Sequence, residues 1–208
     1  AGIAAVTGVG TVMAGSSLAI TYFVYKFTGA MVLGSGPLGW GIGLFALGAT
    51  LAYAKEGKVE DRLAKTLKTN DEEWHRVMTI NLDSVFTIVN EVGSKMAEAR
   101  KGRVIVYSAC LGRMSGPGNA GGLAPYRISK AGVNALVRNL SHETGHGSRG
   151  FWIDAICPNH SRTDMGGESA PRSAAEGAAT AVWLATRELI AGETQTGLLW
   201  EDNEIIPW

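Results

Sequence analysis

The chain has 208 residues, with 19 basic and 19 acidic side chains and a net charge of zero. This balance offers no electrostatic basis for binding a polyanion, so we expect no nucleic-acid partner. The two cysteines, Cys110 and Cys157, form no CxxC motif and indicate a reducing compartment or one in which redox state is immaterial.

The first quarter of the sequence is almost free of charge. Lys26 is the only charged side chain within residues 1–54. The uncharged runs on either side of it both exceed the roughly 20 residues that cross a bilayer as a helix. Frequent glycines suit close helix packing in lipid. We therefore predict that residues 1–54 form a transmembrane helical hairpin, and that the basic residues after it hold residues 55–208 on the cytosolic, stromal or matrix side.

Two alternatives stay open for this segment. It could be a buried hairpin of strand and helix in a water-soluble protein. It also contains a GxGxxG pattern at Gly34, Gly36 and Gly39, the arrangement that lets a dinucleotide pyrophosphate approach a helix N-terminus. The acidic residue that this fingerprint requires about 20 positions later would be Glu56, which lies in a charged helical run rather than after a strand.

A charged linker over residues 55–69 leads to a segment, 70–208, in which helical and apolar patterns alternate. Asn70 is suited to cap a first helix, since acidic residues follow it and apolar residues then recur every three or four positions. The later segments are a strand (GRVIVYSA), a helix (YRISKAGVNALVRNLSHETG), a strand (FWIDAICP), a helix (SAAEGAATAVWLATREL), and a last strand and tail (TGLLWEDNEIIPW). This order predicts a parallel sheet with helices on its faces.

Five stretches of this segment, in order, resemble the classical short-chain dehydrogenase/reductase family, in particular its carbonyl-reductase-like members. They are INLDSVF, GRVIVYSA, YRISK, ICPNHSRTDM and EGAATAVWLA. The resemblance implies an α/β fold in which residues 70–208 form the C-terminal part of a Rossmann-like doubly wound parallel sheet. It also implies reductase chemistry with NADP or NAD as cofactor.

The resemblance further implies roles for individual side chains. Tyr126 would donate the proton, Lys130 would lower the tyrosine pKa and bind the nicotinamide ribose, and Asn81 would order a water in the proton relay. Spacing alone places Tyr126 and Lys130 on one helix face, where a positive charge favours the phenolate. The residues implied to bind the cofactor are Lys130, Pro158, Asn159 and Thr163.

The sequence departs from the family pattern at two places, after the first predicted strand and in the cofactor loop. The family usually has two serines after the strand, of which the second holds the substrate carbonyl; here they are Ser108 and Ala109. Side chains alternate across a strand, so Ser108 is expected to point away from the carbonyl, with Ser115 as an alternative in the longer loop. Asn159 replaces a glycine of the cofactor loop, and asparagine tolerates positive φ better than most residues.

The letters HETGH, from His142 to His146, match a zinc-protease motif, but Gly145 interrupts the helix and no third ligand stands out. We therefore predict no metal site.

No complete phosphate-binding loop precedes Asn70 in the sequence. We therefore predict a membrane-anchored structural or accessory subunit of a larger complex, carrying an inactive reductase-like domain that holds no cofactor. Its partners would be the lipid bilayer and other subunits, and its location an energy-transducing, organellar membrane. The alternative is an active NADPH-dependent carbonyl reductase that uses Tyr126, Lys130 and Asn81. A split enzyme, completed by a second chain, is a further alternative.

Overall fold

The computed structural model describes residues 66–208, and the predicted hairpin over residues 1–54 lies outside them. Within this described part, none of the helices combines the length and the apolar character needed to cross a bilayer. A short 3-10 helix, Thr66–Lys68, comes first.

Helix α1 begins after Asn70, whose side-chain oxygen accepts a hydrogen bond from the backbone N–H of Glu73 at 2.8 Å. The predicted cap is confirmed. The helix then continues without a break through Asp71–Met78, Thr79–Asp83, Ser84–Ile88, Val89–Gly93 and Ser94–Glu98. The second and fourth of these segments are π-helical turns, a feature common at functional sites.

Four further helical elements follow the first strand. Two 3-10 turns, Cys110–Gly112 and Gly116–Asn119, lead to helix α2 over Ala124–Glu143. Helix α3 covers Ala174–Thr186 and begins with a capping box between Ser173 and Glu176.

The sheet has four strands in the order β1 to β4: Gly102–Tyr107, Phe151–Ile156, Leu199–Glu201 and Glu204–Ile206. Strands β1, β2 and β3 are parallel, with Gly102 opposite Phe151 and Ala155 opposite Leu199. The residues predicted as a tail form β4 instead, which turns back antiparallel on β3 through two residues of positive φ, Asp202 and Asn203.

Both faces of the parallel strands are covered, as the apolar patterns of β1 and β2 predict. Val104 and Val106 point to the face covered by α1 and α2, where Val133 and Val137 pack against them. Ile105 and Tyr107 point to the opposite face, where α3 packs. This alternation confirms the predicted α/β sheet, with helices on both sides.

Arg103 joins the amino end of β1 to the end of α3. Its guanidinium donates to the carbonyls of Leu184 and, at 2.7 Å, Arg187, which the last turn of a helix leaves without partners. The side chain is 8 % exposed, and burial together with the charge of Arg187 lowers its pKa to about 10. Arg103 therefore remains charged at neutral pH and caps α3.

Replacing Arg103 with alanine is expected to reduce the free energy of unfolding by about 3 kcal/mol, because a buried and a partly buried carbonyl lose a charged donor. Urea denaturation monitored by circular dichroism measures this loss. Arg149→Ala, at an exposed position, is the matched control and should change the stability by less than about 0.5 kcal/mol. Equal losses in both variants would contradict the capping role.

Candidate active site

The candidate site lies at the carboxyl ends of β1 and β2, where ligands bind in open parallel sheets. Backbone pairing continues past both strands, since the Ser108 N–H bonds the Ile156 carbonyl at 2.8 Å and the Cys157 N–H bonds the Trp200 carbonyl at 2.8 Å. Ala109 and Pro158 follow directly. The loop after β1 and the loop after β2 are therefore held side by side.

Helix α2 carries Tyr126 and Lys130 to this edge. Leu123, immediately before the helix, has a left-handed conformation with φ of 52°, which is strained for a residue with a branched side chain. Lys130 is 3 % exposed, and its ammonium donates to the carbonyl of Tyr107 at 2.9 Å. The same Nζ lies 5.9 Å from the centre of the Tyr126 ring. The predicted pair is thus formed, with the lysine anchored to the end of β1.

The pKa values of the pair are shifted by burial. Burial raises the pKa of Tyr126 to about 12 and lowers the pKa of Lys130 to about 8. The role that the resemblance implies for the lysine, lowering the tyrosine pKa, stays a prediction, because burial sets the direction of the net shift here. Removal of both groups from water outweighs the attraction of an ammonium that bonds a carbonyl instead of the phenol. At neutral pH the phenol therefore keeps its proton.

Asn81 joins α1 to this pair. It lies in the first π-helical turn of α1, is 1 % exposed, and its Nδ2 donates to the Ser129 hydroxyl at 3.1 Å. Ser129 in turn donates to the Tyr126 carbonyl at 2.7 Å. The Oδ1 atom of Asn81 is buried and meets no donor within the described part of the chain. A buried acceptor without a partner can accept a hydrogen bond from a water, and the relay role of Asn81 stays a prediction.

Ser108 faces α2 rather than a substrate. It is 3 % exposed, and its hydroxyl bonds Asn134 Oδ1 and, at 3.4 Å, the carbonyl of Lys130. Asn134 extends this contact by donating to the Gly112 carbonyl at 3.2 Å. The hydroxyl therefore ties the end of β1 to α2, as the alternation of side chains suggested. Ala109 occupies the following position and offers no hydroxyl.

Ser115, the other candidate, bonds elsewhere. Its hydroxyl donates to the carbonyl of Trp208 at 3.3 Å and accepts from Arg113 at 3.4 Å. In the region from residue 66 onward, no hydrogen bond joins it to Tyr126. Neither serine thus occupies the place of a carbonyl-binding hydroxyl in this structure.

The loop after β2 has Asn159 at the position where the family usually has glycine. Asn159 adopts the left-handed conformation, with φ of 57°, and its Nδ2 donates to the Glu201 carboxylate at 2.8 Å. Asparagine therefore supplies the backbone conformation for which glycine would otherwise be used. Thr163 accepts from the N–H of Gly166 at 3.2 Å and shapes the turn that follows.

These residues suit the nicotinamide part of a dinucleotide cofactor. Among residues 66–208 the Lys130 ammonium bonds one acceptor, the Tyr107 carbonyl, which leaves ammonium hydrogens for a ribose hydroxyl. Gly177 on α3 lets this loop lie close, because a Cβ there would stand 2.2 Å from the Ser161 hydroxyl.

One feature of the site was not expected from the sequence. Cys110 and Cys157 form a disulfide, and Glu201 lies beside it, with one carboxylate oxygen 2.6 Å from Cys110 Sγ. The two sulfurs and this carboxylate lie within 4.8 Å of one another. The available signal was that Cys110 directly follows one predicted buried strand and Cys157 lies near the carboxyl end of the next, and neighbouring parallel strands end at the same edge of a sheet.

The HETGH histidines lie elsewhere, at the end of α2. Nε2 of His146 and Nδ1 of His142 are 2.9 Å apart, and His146 Nδ1 is 3.1 Å from the Ser141 hydroxyl. The two rings thus bond to each other, at the opposite end of the helix from Tyr126.

Comparison with known proteins agrees with this architecture. The model of the family described as short chain dehydrogenase matches residues 55–174. The 3-oxoacyl-(acyl-carrier-protein) reductase FabG of Escherichia coli is 36 % identical over 109 residues, which are 52 % of this chain and 41 % of that protein. The match therefore spans about two-fifths of this curated relative.

Solved structures show the same fold at lower identity. Carbonyl reductase Sniffer of D. melanogaster superposes with a TM-score of 0.62 at 20 % identity, over 74 % of this chain and 64 % of that one. An NADPH-bound carbonyl reductase from chicken fatty liver gives a TM-score of 0.60 at 19 % identity, over 71 % and 62 %. With the family match over more than half of its length, this Rossmann-like α/β chain belongs to the short-chain dehydrogenase family.

Proposed function

We propose that the protein is a reductase that converts a carbonyl to an alcohol with NADPH or NADH. The observation that carries the proposal is the hydrogen-bonded row from Asn81 through Ser129 to Tyr126, with Lys130 anchored one turn further along α2. The similarity to a 3-oxoacyl-(acyl-carrier-protein) reductase and to carbonyl reductases supports this reaction class.

In this mechanism Tyr126, Lys130 and Asn81 each have a defined role. A nicotinamide cofactor, when bound, supplies the hydride. Tyr126 gives its phenolic proton to the carbonyl oxygen, and its pKa of about 12 keeps that proton in place until then. Lys130 binds the cofactor ribose and holds positive charge near the phenolate that forms. The free Oδ1 of Asn81 holds the water through which the tyrosine regains a proton.

Ala109 limits this reaction. A serine hydroxyl at this place would donate to the carbonyl oxygen as negative charge develops, and removal of one such donor typically lowers kcat by 10²–10³-fold. We infer that the enzyme acts slowly on simple carbonyls, or that its substrate brings its own hydrogen-bond donor.

A second candidate function is a non-catalytic family domain that serves as an accessory subunit of a membrane assembly. The alanine at position 109 favours it. The uncharged runs within residues 1–54 add a membrane-anchoring hairpin to this second proposal, with other subunits as partners in an energy-transducing membrane.

Tyr126→Phe is expected to lower kcat for carbonyl reduction by at least about 100-fold with little change in KM, since only proton donation is lost. NADPH oxidation with a panel of ketones and 3-oxoacyl thioesters measures it. Tyr107→Phe is the matched control, because its ring lies on the opposite face and the carbonyl that binds Lys130 is retained. Equal rates for the parent protein and Tyr126→Phe would exclude this mechanism.

Ala109→Ser is expected to raise kcat/KM by about 10–100-fold, because it restores a donor for the developing oxyanion. Ala120→Ser, at an exposed position in the preceding loop of α2, should have no effect. If the protein is an accessory subunit without a cofactor site, turnover stays at the background rate in both variants.

The lowered pKa of Lys130 predicts that stability and NADPH affinity change in opposite directions as the pH rises. Its pKa is about 8 in the folded state and about 10.5 in the unfolded state, so the unfolded state binds more protons between pH 8 and 10. The free energy of unfolding should therefore rise over this window by up to about 1.4 kcal/mol per pH unit, whereas NADPH affinity falls as the ammonium is lost. The raised pKa of Tyr126 affects the free energy of unfolding only above pH 10.

Urea denaturation and NADPH titration at pH 7.5 and pH 9.5 measure both trends. Lys130→Met should abolish the rise in stability, and Lys95→Met, at an exposed position on α1, should preserve it. A free energy of unfolding that falls from pH 7.5 to pH 9.5 in the parent protein would contradict the lowered pKa of the buried Lys130.

A further inference from the structure

A covalent bond joins the two loops that form the candidate site. The Cys110–Cys157 disulfide bridges positions 47 residues apart, with 5.5 Å between the Cα atoms. Cys110 directly follows Ala109, and Cys157 directly precedes Pro158 and Asn159. The disulfide therefore links the loop on the substrate side to the loop on the cofactor side.

The atoms around Cys110 and Cys157 can contact the two sulfurs in both the disulfide and the thiol state. A thiol at Cys110 has the Glu201 carboxylate as an acceptor, 2.6 Å from its sulfur. The Asn159 side-chain oxygen lies 3.6 Å from Cys110 Sγ and 3.7 Å from Cys157 Sγ, within reach of either thiol. The backbone N–H of Cys110 points at Cys157 Sγ over 3.0 Å. Reduction therefore leaves no buried thiol without a partner, and the pair can be reduced and reoxidised in place.

The two sulfurs differ in access. Cys157 is 3 % exposed, whereas Cys110 is partly exposed. A low-molecular-weight thiol must therefore attack Cys110 Sγ, which forms a mixed disulfide there and releases Cys157 as the leaving thiolate. A second thiol then displaces Cys110. Two external thiols become one external disulfide, and the protein gains two electrons and two protons. An external disulfide of the glutathione class reverses these steps.

Glu201 couples this chemistry to the cofactor loop. One of its carboxylate oxygens lies against Cys110 Sγ, and the other accepts from Asn159 Nδ2 at 2.8 Å. Asn159 is held in its left-handed conformation, with φ of 57°, by this contact and by the covalent link two residues earlier. Loss of the disulfide removes one of the two constraints on this loop.

We propose that Cys110 and Cys157 form a reversible thiol–disulfide site, in which the oxidised form fixes the loop at Pro158 and Asn159 and strengthens binding of the nicotinamide cofactor. The cofactor clause rests on the proposed function. The direction follows from pre-organisation, because a loop already held in one conformation loses less entropy when a ligand binds. The negative charge of Glu201 beside Cys110 disfavours its thiolate and slows both directions of exchange.

The first test is independent of activity. Thiols of the air-oxidised protein are counted under denaturing conditions with and without prior reduction by dithiothreitol, in the presence of a chelator. We expect no free thiol before reduction and two after it, with a melting temperature lower by roughly 5–10 °C in the reduced form. Two free thiols in the oxidised preparation would overturn the proposal, as would one Zn²⁺ bound per reduced chain that blocks reoxidation when the chelator is left out.

The second test is NADPH titration followed by fluorescence. We expect the dissociation constant of the parent protein to rise by about three- to tenfold on reduction. The Cys110→Ser, Cys157→Ser double variant should show the reduced-form value with or without dithiothreitol. Since serine at the buried position 157 can impair folding, Cys110→Ser alone is the second variant. Equal affinity of the oxidised and reduced parent protein contradicts the coupling.

A charge variant separates the switch from a merely structural disulfide. Glu201→Gln keeps an acceptor for Asn159 but removes the charge beside Cys110, so reoxidation by glutathione disulfide at pH 7 should be several-fold faster. Glu204→Gln, at an exposed position on β4, is the control. An unchanged rate in Glu201→Gln overturns the assigned role of the carboxylate. If neither the oxidised nor the reduced protein binds NADPH, the proposed function fails. The thiol count and the reoxidation rates then still test whether Cys110 and Cys157 form a reversible thiol–disulfide site.

Discussion

The hydrogen bond from the Lys130 ammonium to the carbonyl of Tyr107 is the contact on which the candidate site depends. It joins the middle of α2 to the last residue of β1, in a position where the side chain is 3 % exposed. A buried ammonium is costly unless it is bonded, and here the cost appears as a pKa lowered to about 8. Because Tyr126 lies one turn earlier on the same helix, this contact also fixes the phenol at the carboxyl edge of the sheet.

Two departures from the family pattern and one disulfide surround this contact, and each has a different physical consequence. Asn159 keeps the left-handed conformation and so preserves the loop after β2. Ala109 removes a hydrogen-bond donor without disturbing the strand end, because Ser108 still bonds α2. The disulfide of Cys110 adds a covalent constraint between the two loops. The shape of the loops is thus maintained, while one hydrogen-bond donor is absent and one covalent link joins the two loops.

The sequence was informative wherever a local pattern has one structural solution. The cap at Asn70 and the alternating burial along β1 followed from residue type and spacing. The inward orientation of Ser108 followed from the pleat of the strand. Features set by tertiary contacts were not accessible in this way. The disulfide requires the register of β1 against β2, and the pKa of Tyr126 depends on burial that spacing does not report.

The central claim is that this domain binds a nicotinamide cofactor through Lys130. Isothermal titration calorimetry of the protein with NADPH at pH 7 tests it most directly, with Lys130→Met measured in parallel. The account predicts saturable heat with one site per chain, and an affinity at least about tenfold weaker in the variant. An absence of binding heat in the folded parent protein, or equal affinities of the parent and the variant, would contradict it.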